Sequence, residues 1–344
     1  MVRKIGIIFF LILFGGCLFY FWPRNIINPI GKQKEINNNF FLEKYDFDEL
    51  RRVHKAMPAG RQVHKVESRK LEILGNIPEV EDRRTIEYDF TTREIRFKSD
   101  GKWVSGMINM PKDVGTRHGV FVPVIIMIRG YAEKEGYYVG SGSWKVADEL
   151  ARQSAGKPNY VTISLDFLGY GHSDTESSDM LEARFHKVVE VLDLIESVKQ
   201  LPWVDKNRIG IWAHSNGGQI ALSVLEITGQ SYPTVLWAPM TQPFPESVLS
   251  TIDEGSPVKA VIEEFQKHYD SRRYAFENYY DWIKAPVLIQ QGNRDNQVKL
   301  EWQRPVARAI GAELVVYEGA DHNLKGGWNE AVAADLGFFG THFK

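Results

Sequence analysis

The stretch that decides the fold is Ile209-Gly210-Ile211-Trp212-Ala213-His214-Ser215-Asn216-Gly217-Gly218-Gln219-Ile220-Ala221. It begins as an apolar run, turns at a serine between small residues, and continues with apolar residues at helical spacing. A serine on a tight strand-to-helix turn is typical of a nucleophile elbow, where small neighbours are needed because the turn is strained. Ala213 stands where this pattern usually has glycine. Ser215 is therefore a candidate nucleophile whose support must come from the surrounding elements.

Apolar strands and helical spacers alternate on both sides of this stretch. Continuous apolar runs of this kind indicate a parallel sheet that is covered on both faces. The predicted strands are Val124–Ile128, Tyr160–Leu165, Arg208–Trp212, Thr234–Trp237, Val287–Gln290 and Glu313–Tyr317. The predicted helices are Trp144–Gln153, Met180–Leu201, Gly218–Thr228, Leu300–Ile310 and Trp328–Phe339. The sequence thus predicts an α/β fold with a doubly wound, mostly parallel sheet.

Other segments define the domain organisation around this sheet. Residues 85–110 alternate polar and apolar side chains around a turn at 99–102, which predicts an N-terminal antiparallel hairpin. The spacer 239–284 is longer than a crossover requires and is predicted to be a small helical lid. The polar residues 31–84 are interpreted as a stalk with a peripheral helix near 40–54. The main α/β domain is accordingly predicted to span 85–344.

A serine hydroxyl becomes a good nucleophile only when a base removes its proton. Three histidines follow Ser215 in the chain: His268 lies within the predicted lid, His342 lies near the chain end, and His322 follows a buried strand. Ligands of open parallel sheets bind at the carboxyl ends of the strands, which is where His322 is expected. His322 is therefore the predicted base.

The base needs an acid that fixes its tautomer. Asp295 follows the strand that precedes the strand of His322 and is expected at the same sheet edge. Asp321 is the competitor, but it adjoins the histidine in sequence and is expected to face elsewhere. The order serine, aspartate, histidine is the order expected for this elbow pattern. Asp295 is the predicted acid.

An acyl-transfer site also needs donors for the developing oxyanion. The backbone N–H of Asn216, directly after the proposed nucleophile, is one predicted donor. Tyr131 is the other, through its N–H or its phenol, because it follows the first buried strand and Gly130. Nearby, Arg129, Lys134 and Arg294 could favour an anionic substrate, although a solvated surface charge is the commoner role for such residues. A rival serine, Ser173, also follows a strand, but no apolar helix begins after it, so a loop lining the site is expected there.

The N-terminus predicts a membrane anchor or signal segment at 1–30. Ile5–Trp22 contains no charge and would rise roughly 27 Å as a helix, nearly enough to span a bilayer. Leu18–Trp22 is bulky and no small-residue cleavage site follows, which favours an uncleaved anchor with an extracytoplasmic catalytic domain. A lipoprotein modified at Cys17 and a secreted protein are the alternatives. Positive charges flank both ends of the segment and leave its orientation undecided.

Composition excludes other classes of protein. The 42 basic and 44 acidic residues leave no positive surplus for a nucleic-acid backbone, so no nucleic-acid partner is predicted. The single cysteine excludes a zinc site built from several thiolates. The proposed chemistry needs neither a metal nor a cofactor, and none is predicted.

These residues together resemble the α/β-hydrolase fold, and more narrowly the catalytic domain of the prolyl oligopeptidase family and its dienelactone-hydrolase-like relatives. The resemblance covers roughly residues 85–340. It rests on Ser99-Asp100-Gly101, Met110-Pro111, Asp166-Phe167-Leu168-Gly169-Tyr170-Gly171, the elbow, Gly292-x-x-Asp295-x-x-Val298 and Gly319-x-x-His322. It implies that Ser215 is the nucleophile, Asp295 the acid and His322 the base, with Tyr131 and Asn216 as the oxyanion donors.

The resemblance also implies an activity. A serine hydrolase of this kind cleaves an ester or amide bond through an acyl-enzyme, as a peptidase or a carboxylesterase acting on a small-molecule ester or a short peptide. Arg129 departs from the family pattern, in which a histidine often precedes the glycine. About 60 residues between the anchor and the main domain cannot build the β-propeller of full-length prolyl oligopeptidases, which puts peptidase activity in doubt. The alternative is a non-catalytic protein that uses the same cleft to bind a ligand or partner.

Overall fold

The computed structural model describes residues 41–56, 70–77, 89–112, 114, 121–152 and 160–343. These residues belong to one compact unit. The predicted anchor or signal segment at 1–30, with its lipid-attachment alternative at Cys17, lies outside the described residues. Among the helices within these ranges, none is both long enough and apolar enough to cross a membrane.

One mixed sheet organises the described residues. Its strands are β1 (Glu72–Ile73), β2 (Phe90–Ser99), β3 (Lys102–Pro111), β4 (Val122–Ile128), β5 (Val161–Leu165), β6 (Val204–His214), β7 (Thr234–Trp237), β8 (Val287–Gly292) and β9 (Glu313–Tyr317). Their spatial order is β1-β2-β3-β5-β4-β6-β7-β8-β9. The strands from β4 to β9 run parallel, whereas β2 and β3 form an antiparallel hairpin whose second strand pairs antiparallel with β5. The predicted mostly parallel sheet with an N-terminal hairpin is confirmed.

Helices cover this sheet and connect its parallel strands. Within the described residues they are α1 (Phe47–Ala56), α2 (Trp144–Ala151), α3 (Met180–Val198), α4 (Asn216–Thr228), α5 (Glu246–Leu249), α6 (Pro257–His268), α7 (Leu300–Ile310) and α8 (Trp328–His342). The helix after the elbow begins at Asn216, directly behind Ser215, rather than at Gly218. Apolar periodicity marks the buried face of a helix and not its ends, so differences of two or three residues are expected.

The two faces of the central strand β4 supply the core on both sides of the sheet. Val124, Ile126 and Ile128 belong to one apolar cluster, while Ile125 and Met127 belong to another. All five side chains are fully buried. Since successive side chains of a strand point to opposite faces, a strand that is buried on both faces must be apolar throughout.

The domain begins earlier than the predicted boundary at residue 85. Phe47 of α1 lies in the same apolar cluster as the central strands. Arg51 of α1 donates a hydrogen bond to the carbonyl oxygen of Glu226 in α4 and lies 4.0 Å over the ring of Trp282. The strand β1 pairs antiparallel with β2 at the sheet edge. Parts of the predicted stalk and peripheral helix at 31–84 therefore pack on the α/β domain.

A helical insert joins β7 to β8 at the position of the predicted lid, residues 239–284. It contains α5, α6 and three short 3₁₀-helices (Ser271–Tyr274, Phe276–Asn278 and Tyr280–Trp282). Its aromatic side chains pack on Phe185 of α3, with ring centroids 5.2 Å from Phe244 and 4.9 Å from Tyr274. The insert is thus fixed to α3 by its own apolar cluster.

Candidate active site

Ser215 lies on a strained turn between β6 and α4. Its backbone has φ 54° and ψ −122°, which is unfavourable for any residue with a side chain. Three hydrogen bonds hold the turn: the Ser215 N–H donates to the carbonyl of Trp237 (3.0 Å), and the Ser215 carbonyl accepts from Gly218 (2.9 Å) and Met240 (2.8 Å). The neighbouring strand and the start of the insert therefore impose the conformation that exposes the hydroxyl.

Two glycines allow the backbone to approach the elbow closely. A Cβ on Gly217 would lie 2.5 Å from the carbonyl oxygen of Ile128. A Cβ on Gly130 would lie 2.9 Å from the Cβ of Ser215. Ala213, the departure from the usual elbow pattern, is fully buried in β6. The positions near the elbow where a side chain would collide are thus Gly217, after the serine, and Gly130, in the loop after β4.

Asp295 and His322 are hydrogen-bonded to each other. The distance from Nδ1 of His322 to Oδ2 of Asp295 is 2.8 Å, and the Asp295 side chain is fully buried. Burial raises the pKa of Asp295, but the hydrogen bonds from His322 and from the Val298 N–H outweigh it and hold the pKa below its usual value. Asp295 is therefore ionised at neutral pH and accepts a hydrogen bond from the Nδ1–H of His322, which leaves Nε2 of His322 as the basic nitrogen.

His214 connects the elbow to the loop that carries His322. Burial, and next the nearby His322, lowers the pKa of His214 to about 4, so its ring is neutral at pH 7. Its Nε2 lies 3.0 Å from the His322 carbonyl oxygen, which can only accept, so Nε2 carries the proton. The two rings are 4.8 Å apart. Within the described residues no hydrogen bond joins the Ser215 hydroxyl to His322; such bonds are often long until substrate binds.

The two predicted oxyanion donors lie on either side of the elbow. Asn216 is the first residue of the 13-residue helix α4, where backbone N–H groups have no partner within the helix and the helix dipole favours negative charge. Tyr131 follows Gly130 and has a 70% exposed side chain. A cleft of about 670 Å³ begins at Ala132 and is lined by residues of the loop between β4 and α2. The cleft lining thus begins directly after Tyr131 in the chain and includes neither predicted donor nor Ser215.

Ser173, the rival serine, has a structural role. Its Oγ accepts the backbone N–H of Ser105 (2.9 Å). Ser105 in turn donates to Asp166 (2.6 Å), which is fully buried. The ring of His172 hydrogen-bonds Glu94 instead of the serine. Ser173 therefore supports the loop after β5 through Ser105; that this loop lines the site stays a prediction.

The competing histidines and the competing aspartate lie in other contacts. His268 pairs with Glu264 on α6 at 3.1 Å. The ring of His342 packs on Phe338 at 4.5 Å. Asp321 accepts the backbone N–H groups of Asn323 and Lys325, both at 2.9 Å, and so shapes the loop that carries His322.

Arg129 does not offer a charge to a substrate. It is 4% exposed, and its guanidinium donates to the carbonyl oxygens of Gly130 (2.8 Å) and Asp166 (2.6 Å). The ring of Tyr170 lies 4.0 Å from it. Both sequence-based interpretations of Arg129, as an anion site and as a solvated surface charge, are therefore wrong. The residue instead joins the loop after β4 to the loop after β5. Lys134 is exposed and pairs with Glu176, and Arg294 is exposed.

Sequence reasoning missed a polar cluster at the start of α4. Arg184 of α3 donates from Nη2 to Gln219 Oε1 and to Ser247 Oγ, both at 2.8 Å. Gln219 in turn donates to the side chain of Asn216. No motif could have shown this, because the three segments meet only in the folded chain.

Comparisons with known proteins agree with this fold. The alpha/beta hydrolase family matches residues 125–274, and a family described as TAP-like protein matches residues 269–338. A protein of Emericella nidulans described as "Probable dipeptidyl peptidase 4" is 28% identical over 169 residues, covering 45% of this chain. The match spans 20% of that relative's length.

Solved structures have the same fold at low identity. Acetyl xylan esterase 1 from Thermoanaerobacterium sp. JW/SL YS485 superposes with a TM-score of 0.57 at 16% identity, covering 87% of this chain and 94% of that one. Dipeptidyl peptidase 4 of Porphyromonas gingivalis gives a TM-score of 0.54 at 19% identity, covering 75% of this chain and 36% of that one. At these identities the likeness extends to the fold alone.

Proposed function

Because the chain has the α/β-hydrolase fold and resembles the catalytic domain of the prolyl oligopeptidase family, we propose that it is a serine hydrolase that cleaves an ester or amide bond through an acyl-enzyme. Ser215 is the nucleophile, His322 the base and Asp295 the acid. The observation that carries the proposal is the 2.8 Å hydrogen bond between His322 and the buried Asp295, on a loop that contacts the strained elbow through His214.

The proposed reaction follows from these positions. The Ser215 oxygen attacks the substrate carbonyl carbon while its proton passes to Nε2 of His322. Asp295 accepts a hydrogen bond from the Nδ1–H throughout, so it fixes the tautomer and stabilises the imidazolium that forms while the proton stays on Nδ1. His322 then gives its proton to the leaving group, and a water molecule, deprotonated by the same nitrogen, attacks the acyl-enzyme. The acid product leaves and Ser215 regains its proton.

The negative charge on the attacked oxygen needs donors that are already in place. The Asn216 N–H at the start of α4 and the Tyr131 N–H or phenol are proposed for this role. Gly130 supports it, because its lack of a side chain lets the loop after β4 lie against Ser215. Removal of one such donor typically costs 10²- to 10³-fold in kcat.

The proposed substrates are small-molecule esters or short peptides. The exposed Tyr131 side chain next to the elbow leaves the proposed oxyanion side of the site accessible to such substrates. The solved relatives include an esterase and a peptidase, so ester and amide substrates should be assayed side by side. p-Nitrophenyl acetate serves as the first ester because its hydrolysis needs few contacts with the acyl group.

A fluorophosphonate probe tests the proposal directly. It should label the purified protein at Ser215, and Ser215→Ala should abolish labelling and lower p-nitrophenyl acetate turnover by about 10³-fold or more. Ser173→Ala is the matched control and should keep both. If the protein is not labelled while a known serine hydrolase is, the enzyme proposal is wrong and the non-catalytic binding protein is favoured.

We also propose that residues 5–22 anchor the protein in a membrane. Full-length protein should remain in the membrane fraction after an alkaline carbonate wash. Replacing Leu11 and Ile12 by arginine should release it, since charges at the centre of a span are costly. If Cys17→Ser alone releases the protein, a lipid on that cysteine holds it instead. Recovery of the wild-type chain in the soluble fraction would contradict both forms of attachment.

A further inference from the structure

Arg184 is a cation whose hydrogen-bond partners among the described residues are all neutral. Its Nη2 donates to Gln219 Oε1 and Ser247 Oγ. Burial lowers the pKa of Arg184 to about 10, so it keeps its charge at neutral pH. Within the described residues, no aspartate or glutamate forms an ion pair with it. A partly desolvated charge without a counter-charge is costly, which suggests that one is supplied from outside the chain.

Part of the guanidinium is also open to a ligand. Among the described residues, Nε and Nη1 of Arg184 have no acceptor, and the residue is half-buried rather than enclosed. Arg129 provides the contrast, because its guanidinium is buried against backbone carbonyls. The Arg184 guanidinium therefore keeps both a positive charge and unused N–H donors for a ligand.

Arg184 is linked through α4 to the residue that follows the proposed nucleophile. Its partner Gln219 donates to Asn216, the residue directly after Ser215. Its other partner, Ser247, lies in the insert. The ring of Phe244 lies 5.9 Å from the guanidinium and forms an apolar wall beside it. Two consecutive hydrogen bonds thus join Arg184 to Asn216 at the start of α4.

We propose that Arg184 binds a carboxylate on the substrate, so that the preferred substrate is an ester or amide with a negative charge on the part that faces the insert. A guanidinium holds a carboxylate through charge-assisted hydrogen bonds. Gln219 and Ser247 orient the guanidinium for this contact. The inference rests on the proposed function, because the contact selects among substrates of the same reaction.

Two matched esters test it. p-Nitrophenyl hydrogen adipate and p-nitrophenyl hexanoate have six-carbon acyl chains that end in a carboxylate and a methyl group, respectively. The kcat/KM of the adipate ester divided by that of the hexanoate ester should fall about tenfold or more in Arg184→Gln. Arg184→Lys, which keeps the charge, should recover part of this ratio. Arg308→Gln, which removes an exposed arginine of α7, should leave it unchanged.

The outcomes separate this inference from the proposed function. One adverse result is an adipate-to-hexanoate ratio of kcat/KM that Arg184→Gln leaves unchanged, either with full turnover of both esters or with an equal loss for both. Either form of this result would refute the carboxylate site while leaving the hydrolase proposal intact. Absence of turnover for all esters, without labelling of Ser215, would refute the proposed function instead.

A binding measurement covers the case of slow turnover. Monomethyl adipate should raise the Tm of Ser215→Ala but not of the double variant with Arg184→Gln. An equal rise in both proteins would overturn the inference.

Discussion

Asp295→Asn tests the carboxylate at the centre of the proposed triad. One oxygen of Asp295, Oδ1, accepts the backbone N–H groups of Gln297 (2.8 Å) and Val298 (2.9 Å). The other, Oδ2, accepts from His322 Nδ1 (2.8 Å) and Gln291 Nε2 (2.9 Å). An asparagine has a single acceptor oxygen, and only this oxygen can satisfy the two backbone donors. Its NH₂ group must therefore face His322.

This substitution is expected to reverse the tautomer of His322. An NH₂ group donates to Nδ1, so the ring proton moves to Nε2, and the nitrogen that should receive the Ser215 proton has no lone pair left. A reversed tautomer in a triad of this kind costs about 10⁴-fold in kcat. At 1.36 kcal/mol for each factor of ten, this corresponds to roughly 5.5 kcal/mol of lost transition-state stabilisation.

The assay is kcat for p-nitrophenyl acetate, measured with circular dichroism and Tm to show that the variant is folded. Asp321→Asn is the matched control, because Asp321 lies beside His322 in sequence but, in the part of the chain that the structure describes, accepts hydrogen bonds only from backbone N–H groups of its own loop. It should keep most of the activity. If Asp295→Asn retains more than a tenth of the wild-type kcat, or the control loses as much, the assigned roles are wrong.

Two buried groups should make stability depend on pH with opposite signs. Since burial lowers the pKa of His214 to about 4 from an unfolded value near 6.5, the unfolded chain binds a proton first as pH falls. The wild-type free energy of unfolding should therefore fall by about 2 kcal/mol between pH 7.5 and 5 because of His214. Urea titrations of His214→Gln should lack this fall, whereas those of His342→Gln should retain it. Burial raises the pKa of Glu226 well above 4.5, and its carboxylate oxygens have no hydrogen-bond partner in the described residues. The folded state then retains a proton that the unfolded chain releases as pH rises, so Glu226→Gln should increase stability at pH 8 more than at pH 4; a decrease at pH 8 would contradict this.

The parallel sheet could be predicted because its strands have a physical requirement that is local in sequence. Ile125 and Ile126 are adjacent, face opposite sides of the sheet, and are both fully buried. An apolar run follows directly from that arrangement. The strand β1 could not be predicted, because its two residues have no periodicity and pair only with the edge that β2 offers. The packing of α1 likewise depends on distant partners.

The candidate site divides in the same way. Ser215, Asp295 and His322 follow separate parallel strands, so chain order alone predicts that they lie at the same edge of the sheet. The charges around them were not predictable. Arg129 lies next to the glycine that approaches Ser215, yet its guanidinium points into the fold, whereas Arg184 reaches the elbow from a helix that carries no motif. The direction of a long side chain is decided by which acceptors the folded chain places near it.

The last helix shows a further contribution that chain order does not predict. The sequence gives α8 only the role of a crossover helix, yet Asp335 within it is fully buried beneath the candidate site. It accepts hydrogen bonds from Trp237 (3.0 Å) and Gln290 (2.5 Å) on β7 and β8. The carbonyl of Trp237 also accepts the Ser215 N–H. Asp335 would be left buried without these two donors if β7 or β8 shifted, and such a loss would cost folding free energy. The hydrogen bonds of Asp335 therefore favour fixed positions of β7 and β8 against α8. The spacing between the elbow and the Asp295 loop therefore depends on a residue that touches neither.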